Sequence, residues 1–140
     1  LIRRQRQMCI RDSGRIIRTT DGGISWKLGL SGTTRALRKI KFLNDRIGLI
    51  VGDKGLILRT ENGGRSWKRV ESGVKFNLRD ILIEGERIWV IGEGGKALRS
   101  EDSGVTWTAE DLPLKKRFYA LGLIGGRVYA AGEWGTIIRR

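Results

Sequence analysis

A nine-residue run recurs at a fixed distance along the chain, and a fixed period constrains architecture before local propensity does. Arg18-Thr19-Thr20-Asp21-Gly22-Gly23-Ile24-Ser25-Trp26 returns as Arg59-Thr60-Glu61-Asn62-Gly63-Gly64-Arg65-Ser66-Trp67, then as Arg99-Ser100-Glu101-Asp102-Ser103-Gly104-Val105-Thr106-Trp107. Trp26 to Trp67 is 41 residues and Trp67 to Trp107 is 40. A second run leads into each copy: Gly52-Asp53-Lys54-Gly55-Leu56-Ile57-Leu58-Arg59, Gly92-Glu93-Gly94-Gly95-Lys96-Ala97-Leu98-Arg99 and Gly132-Glu133-Trp134-Gly135-Thr136-Ile137-Ile138-Arg139. Gly14-Arg15-Ile16-Ile17-Arg18 is the tail of the same run, and its upstream glycine would fall at Arg11, so the pattern breaks there.

Each period reads as four short strands. The first is Leu37–Leu43, Leu78–Ile83 or Phe118–Ile124, and the second is Ile47–Val51, Arg87–Ile91 or Arg127–Ala131, after turns such as Asn44-Asp45 and Gly125-Gly126. The third follows the Gly-x-x-Gly turn, and the fourth carries the Trp. Four strands per forty residues with no helical pattern is the signature of an all-β propeller blade. Two complete blades are expected at 36–71 and 77–111, with partial blades at 14–30 and 117–140, an incomplete arc of about three blades. Propellers typically close with about four to eight, so the segment reads as an excerpt of a longer protein.

Composition closes several doors. Among 140 residues there are no His and one Cys, which removes the usual zinc sites, His-dependent triads and an internal disulfide, and no cofactor is expected. No apolar run approaches the roughly 20 residues of a membrane-spanning helix, and nothing at the amino end resembles a secretory core. Residues 1–13 hold that Cys, the only Met and four arginines without helical or strand periodicity. They resemble translated adapter read-through and read as a non-native tail, the alternative being a short basic arm. The whole chain carries a net charge of +13, and without this stretch it stays strongly basic. The basic residues are interleaved with acids and no aromatic–basic platform is evident, which argues against nucleic acid; an acidic protein or an anionic membrane surface would suit the charge equally.

The recurring box is the Asp-box, or BNR repeat: Thr19, Asp21, Gly23, Ser25 and Trp26 fill it, then Thr60, Asn62, Gly64, Ser66 and Trp67, then Ser100, Asp102, Gly104, Thr106 and Trp107. It is expected to be a hairpin in which Asp or Asn accepts backbone N–H groups, glycine takes φ > 0 and Trp covers the turn, a structural role. With the Gly-Asp/Glu-x-Gly run leading straight into it, the pattern resembles the photosystem II stability/assembly factor family and its bacterial relatives over residues 14–140. That resemblance implies a non-catalytic, extracytoplasmic or lumenal propeller that binds a partner protein, in photosynthetic members a reaction-centre precursor.

Strand parity sorts the loops. Turns between second and third strands lie on one face with the blade-to-blade connections, and the Asp-box hairpins lie on the other. The first face collects Asp53, Lys54, Glu93, Glu133 and Trp134 from turns, with Arg35, Lys75, Lys115, Lys116 and Arg117 from connections. It is either a docking surface or a solvated mixed-charge rim. Arg18, Arg59, Arg99 and Arg139 occupy one strand position in every period. They form either a basic ladder for an acidic partner or pairs with neighbours such as Glu61 and Glu101. The rival from another class is a sialidase- or xyloglucanase-type glycoside hydrolase, which also carries Asp-boxes. It needs two flanking carboxyls or a tyrosine nucleophile, and Tyr119, Tyr129, Asp53, Glu93 and Glu133 all sit where strand or turn roles are the default.

Overall fold

A computed structural model of the chain describes residues 6–10 and 14–139. Glycine-rich turns punctuate the described residues into fourteen strands: β1 (Arg6–Ile10), β2 (Arg15–Thr19), β3 (Lys27–Leu30), β4 (Leu37–Phe42), β5 (Gly48–Gly52), β6 (Ile57–Thr60), β7 (Lys68–Val70), β8 (Leu78–Glu84), β9 (Arg87–Gly92), β10 (Lys96–Ser100), β11 (Thr108–Asp111), β12 (Phe118–Ile124), β13 (Arg127–Gly132) and β14 (Ile137–Arg139). They form four antiparallel sheets in chain order, β1-β2-β3, β4-β5-β6-β7, β8-β9-β10-β11 and β12-β13-β14, each a meander. The sheets are successive propeller blades, one to four, and β4, β8 and β12 neighbour one another on the inner side.

Alternation along each strand sends side chains to the preceding and the following blade in turn. Leu49, Val51 and Ile57 of blade two meet Leu78, Ile81, Ile88, Val90 and Leu98 of blade three. Ile50, Leu56 and Leu58 face backwards onto Ile16 of blade one, and Ile91 and Ala97 face forwards onto Phe118 and Ala130 of blade four. The core is therefore a row of sheet-to-sheet interfaces. Trp67 and Trp107 seal their outer ends, Trp67 standing edge-on to Phe42 at a centroid distance of 6.0 Å.

Two features depart from the sequence reading. Residues 6–10, set outside the fold there, pair along β2 from Arg6 opposite Thr19 to Ile10 opposite Arg15. Ladder hydrogen bonds use only the backbone, so the edge of β2 accepts a strand without apolar periodicity. Met8, opposite Ile17, holds the slot that Ile50 and Val90 fill in the next two blades. Residues 1–5 and 11–13 lie outside the described residues. The second departure is a register shift in each inner strand, between Leu37 and Lys39, Leu78 and Asp80, and Phe118 and Ala120. Arg38, Arg79 and Tyr119 are the extra residues of these bulges, and a bulge re-aims the side chain it carries.

Candidate protein-docking face

The Asp-boxes close their hairpins with their own side chains. In the third, the Ser100 hydroxyl donates to Asp102 at 2.8 Å and accepts the Gly104 N–H at 2.9 Å, while Asp102 accepts the Thr106 N–H at 2.9 Å. The first box repeats this pattern through Thr19, Asp21, Gly23 and Ser25. In the second, Asn62 accepts from the Thr60 hydroxyl and the Ser66 N–H, then donates to the Ser66 hydroxyl at 2.7 Å, so the amide does the carboxylate's work. The Trp107 indole donates to the Gly104 carbonyl at 3.2 Å, whereas the Trp67 indole nitrogen is buried without a partner. Trp26 is exposed. The box residues are thus spent on one another.

Hydrogen bonds from the Ser25 hydroxyl and N–H, with that of Thr19, hold the Asp21 carboxyl far below the usual range. The Thr106 hydroxyl and N–H, opposed by slight desolvation, bring Asp102 to about 2. A carboxylate stabilised in the native state makes the unfolded chain bind more protons, so stability falls as pH drops from the ordinary aspartate value near ~4 towards about 2. Urea unfolding midpoints followed over that window should fall with pH. Asp102→Asn, which rebuilds the Asn62 arrangement, should flatten part of the slope; an unchanged slope would remove the third box as its source.

The opposite face is built where each second-to-third turn meets the connection into the next blade. Asp53–Gly55, Glu93–Gly95 and Glu133–Gly135 are single 3₁₀ turns whose middle residue is left-handed: Lys54 at φ 56°, Gly94 at 70° and Trp134 at 62°. The Gly55 N–H donates to the Phe76 carbonyl at 2.8 Å, the Lys54 N–H to Asn77 Oδ1 at 3.0 Å, and the Leu112 N–H to the Gly95 carbonyl at 2.8 Å. Asp-box turns bond instead to first-to-second turns, Gly63 N–H to the Arg46 carbonyl and Ser103 N–H to that of Glu86. The two loop sets therefore occupy the opposite faces that parity predicts.

The structure changes the electrostatic character of the first face. Arg38 grips Asp53 with two hydrogen bonds, Nε to Oδ1 at 2.7 Å and a terminal nitrogen to Oδ2 at 2.9 Å. Arg79 pairs with Glu93 one blade on through a single terminal nitrogen, its Nε buried without a partner, and Asn77 adds a bond to the same carboxylate at 3.2 Å. The Arg38 and Arg79 hydrogen bonds hold the Asp53 and Glu93 carboxyls below their ordinary values. With these acids neutralised from the inner strands, Lys54, Lys75, Lys115 and Arg117 stand exposed, and Arg35, half-buried, reaches the Lys54 carbonyl at 3.2 Å. Arg35, Lys54, Arg69, Glu71 and Lys75 line part of a groove of about 520 Å³ on this face. The rim is basic.

Two of the four arginine positions, Arg59 and Arg99, are engaged within the molecule. Arg59 pairs with Glu61, and its Nε reaches across to the Ser103 carbonyl of the next blade's Asp-box at 3.0 Å. Arg99 pairs with Glu101 at 2.9 Å and with Glu110 at 3.6 Å. In blade one the Gln7 amide occupies the corresponding carbonyl, that of Gly63, at 2.8 Å, and Arg18 Nε is buried without a partner. Arg139 is exposed on β14. Arg59 is an inter-blade clasp, and the ladder is not a continuous exposed surface. Sequence reasoning missed Arg38 and Arg79, and it missed Asp80. Only 7% exposed, Asp80 accepts the Leu121 N–H of blade four at 2.8 Å and lies 3.6 Å from Lys39 of blade two. All three stand at or beside the bulge, which the alternation of apolar and polar residues in the sequence does not signal.

Residues 28–120 match the family described as Photosynthesis system II assembly factor YCF48, and residues 17–28 match the BNR/Asp-box repeat. The chain belongs to the YCF48 family. The match takes in the face from Arg35 to Arg117 and stops before Glu133 and Trp134. Among solved structures, YCF48 from Cyanidioschyzon merolae is similar at a TM-score of 0.78 and 18% identity, over 95% of this chain and 46% of that one. A structure of YCF48 bound to D1 peptide aligns at 0.67 and 23% identity, over 77% and 38%. An ancestral GH74 enzyme aligns at 0.80 and 14% identity, over 97% and 21%. No curated protein matches. The chain spans less than half the length of either YCF48 structure, and at these identities the likenesses carry the fold alone.

Proposed function

We propose that the chain is the arc of a non-catalytic, extracytoplasmic propeller that docks an acidic segment of a partner protein on its basic face, as a scaffold or assembly factor. The observation that carries this reading is the neutralisation of Asp53 and Glu93 by Arg38 and Arg79, which leaves Lys54 and Lys75 in excess at the groove and Lys115 and Arg117 in excess on the connection one blade on. Loops on a rigid scaffold are where recognition residues gather, and complementary charge steers an acidic partner to them. A family relative solved with a bound peptide supports a protein partner. A reaction-centre precursor is the partner proposed if the source organism is photosynthetic.

The test is a titration of the immobilised chain with a blocked peptide rich in Glu and Leu, against a counterpart with Lys for Glu. The acidic peptide should bind with an affinity that falls as salt screens the charges, and the Lys54→Glu, Lys75→Glu, Lys115→Glu variant should bind it about 10- to 100-fold more weakly. Equal binding by the variant would sink the docking face. Release of reducing ends from xyloglucan, abolished by substitution of a carboxylate in this chain, would put the glycoside hydrolase reading in its place.

A further inference from the structure

We propose that Trp134 and Tyr119 form an aromatic anchor on this face, taking an apolar side chain that neighbours a carboxylate in the partner's acidic segment. The inference rests on the docking-face reading and adds what that segment must contain.

The argument begins with where the repeat breaks. The bulge residue is Arg38, Arg79 and then Tyr119; the left-handed corner of the turn is Lys54, Gly94 and then Trp134. Blade four thus replaces an arginine and a small or charged corner with two aromatic rings. Glu133 follows the pattern of Asp53 and Glu93 but has tyrosine where they have their arginine partner. Trp134 is 90% exposed, so it contributes nothing to the core. Its φ of 62° is a conformation that a bulky residue adopts only against steric strain, and Gly94 holds the same corner without that cost. Neither packing nor turn geometry asks for tryptophan here, and strain of this kind is a pointer to function. The exposure belongs to the position: Lys54 and Gly94, in blades flanked on both sides, are exposed as well.

The surroundings define the ligand. The Lys116 ammonium lies 5.0 Å from the Trp134 ring centroid, and the Arg79 guanidinium lies 6.0 Å from that of Tyr119. Each ring therefore presents an apolar surface beside a cation, the pairing found at interface anchors. An aliphatic or aromatic side chain can lie on the rings while an adjacent carboxylate meets Lys116 and its neighbours Lys115 and Arg117. A family relative solved with a bound peptide favours a peptide over single-stranded nucleic acid here.

Intrinsic tryptophan fluorescence can follow the chain titrated with a blocked acidic peptide carrying one Leu, and with the same peptide carrying Ser instead. The parent should prefer the Leu peptide by about tenfold. Trp134→Gly, followed by a labelled peptide's anisotropy, should keep the fold and the Ser-peptide affinity while losing the preference. Tyr119→Arg, which restores the repeat's arginine beside Glu133, should also reduce it. If neither peptide binds the parent, the docking reading falls and the anchor with it. If both bind equally, or Trp134→Gly keeps the preference, the anchor alone falls. Tighter binding of poly(U) than of either peptide, lost in Trp134→Gly, would assign the rings to nucleic acid and overturn the proposal.

Discussion

Gly55→Ala is expected to destabilise the protein by about 3–5 kcal/mol. Gly55 has φ +69°, and a β-carbon added there would stand 2.0 Å from the Val74 carbonyl oxygen. That carbonyl belongs to the connection entering blade three, so relief requires the connection to move. Movement breaks the Gly55 N–H bond to Phe76 and the Ser72 hydroxyl bond to the Gly55 carbonyl, 2.8 and 2.6 Å long. Gly94→Ala is the matched control. It has nearly the same φ, +70°, but nothing lies within 4 Å of the added carbon, so only the left-handed strain of about 1–2 kcal/mol remains. Urea unfolding of both variants separates the two causes, and similar losses would show that the connection yields without cost.

The second large effect is expected from Phe118→Ala, at about 3–5 kcal/mol. Phe118 is the largest of the fully buried side chains and fills the interface between blades three and four with Ile91, Ala97 and Ala130. Removing the ring leaves a void that the surrounding strands, fixed by their ladders, close only in part. Because each blade packs only on its neighbours, hydrogen exchange should accelerate first in β12–β14 while β5, β6, β9 and β10 keep their protection. Uniform acceleration would mean that the arc opens as one unit. Leu123→Ala, on the same strand but exposed, should change little.

Much of this architecture was legible because its signals are local. A Gly-x-x-Gly turn and an Asp-box are short, each recurs, and together they set four strands per period and the two loop faces. What stayed hidden joins residues far apart in sequence. The Arg38–Asp53 pair spans one hairpin but depends on a bulge that shifts the strand's parity by one, which alternation of apolar and polar residues does not reveal. The Arg59 clasp reaches 44 positions along the chain to Ser103, and the Asp80 bond to the Leu121 N–H spans 41. The rim looked mixed in charge because one partner of each neutralising pair lay on a strand assigned to the core. The pairing of residues 6–10 was invisible for the opposite reason: an open strand edge selects for backbone, and side-chain pattern carries no trace of it.

The two residues that close each second-to-third turn divide labour in a way that bears on how such a protein changes over time. Gly55 and Gly95 are locked by the neighbouring connection, whereas the residue just before each of them is a lysine in one blade, a glycine in the next and, in blade four, a tryptophan. Invariance and licence thus sit side by side in adjacent codons. New recognition chemistry can be written onto the face one blade at a time, without renegotiating the frame that displays it.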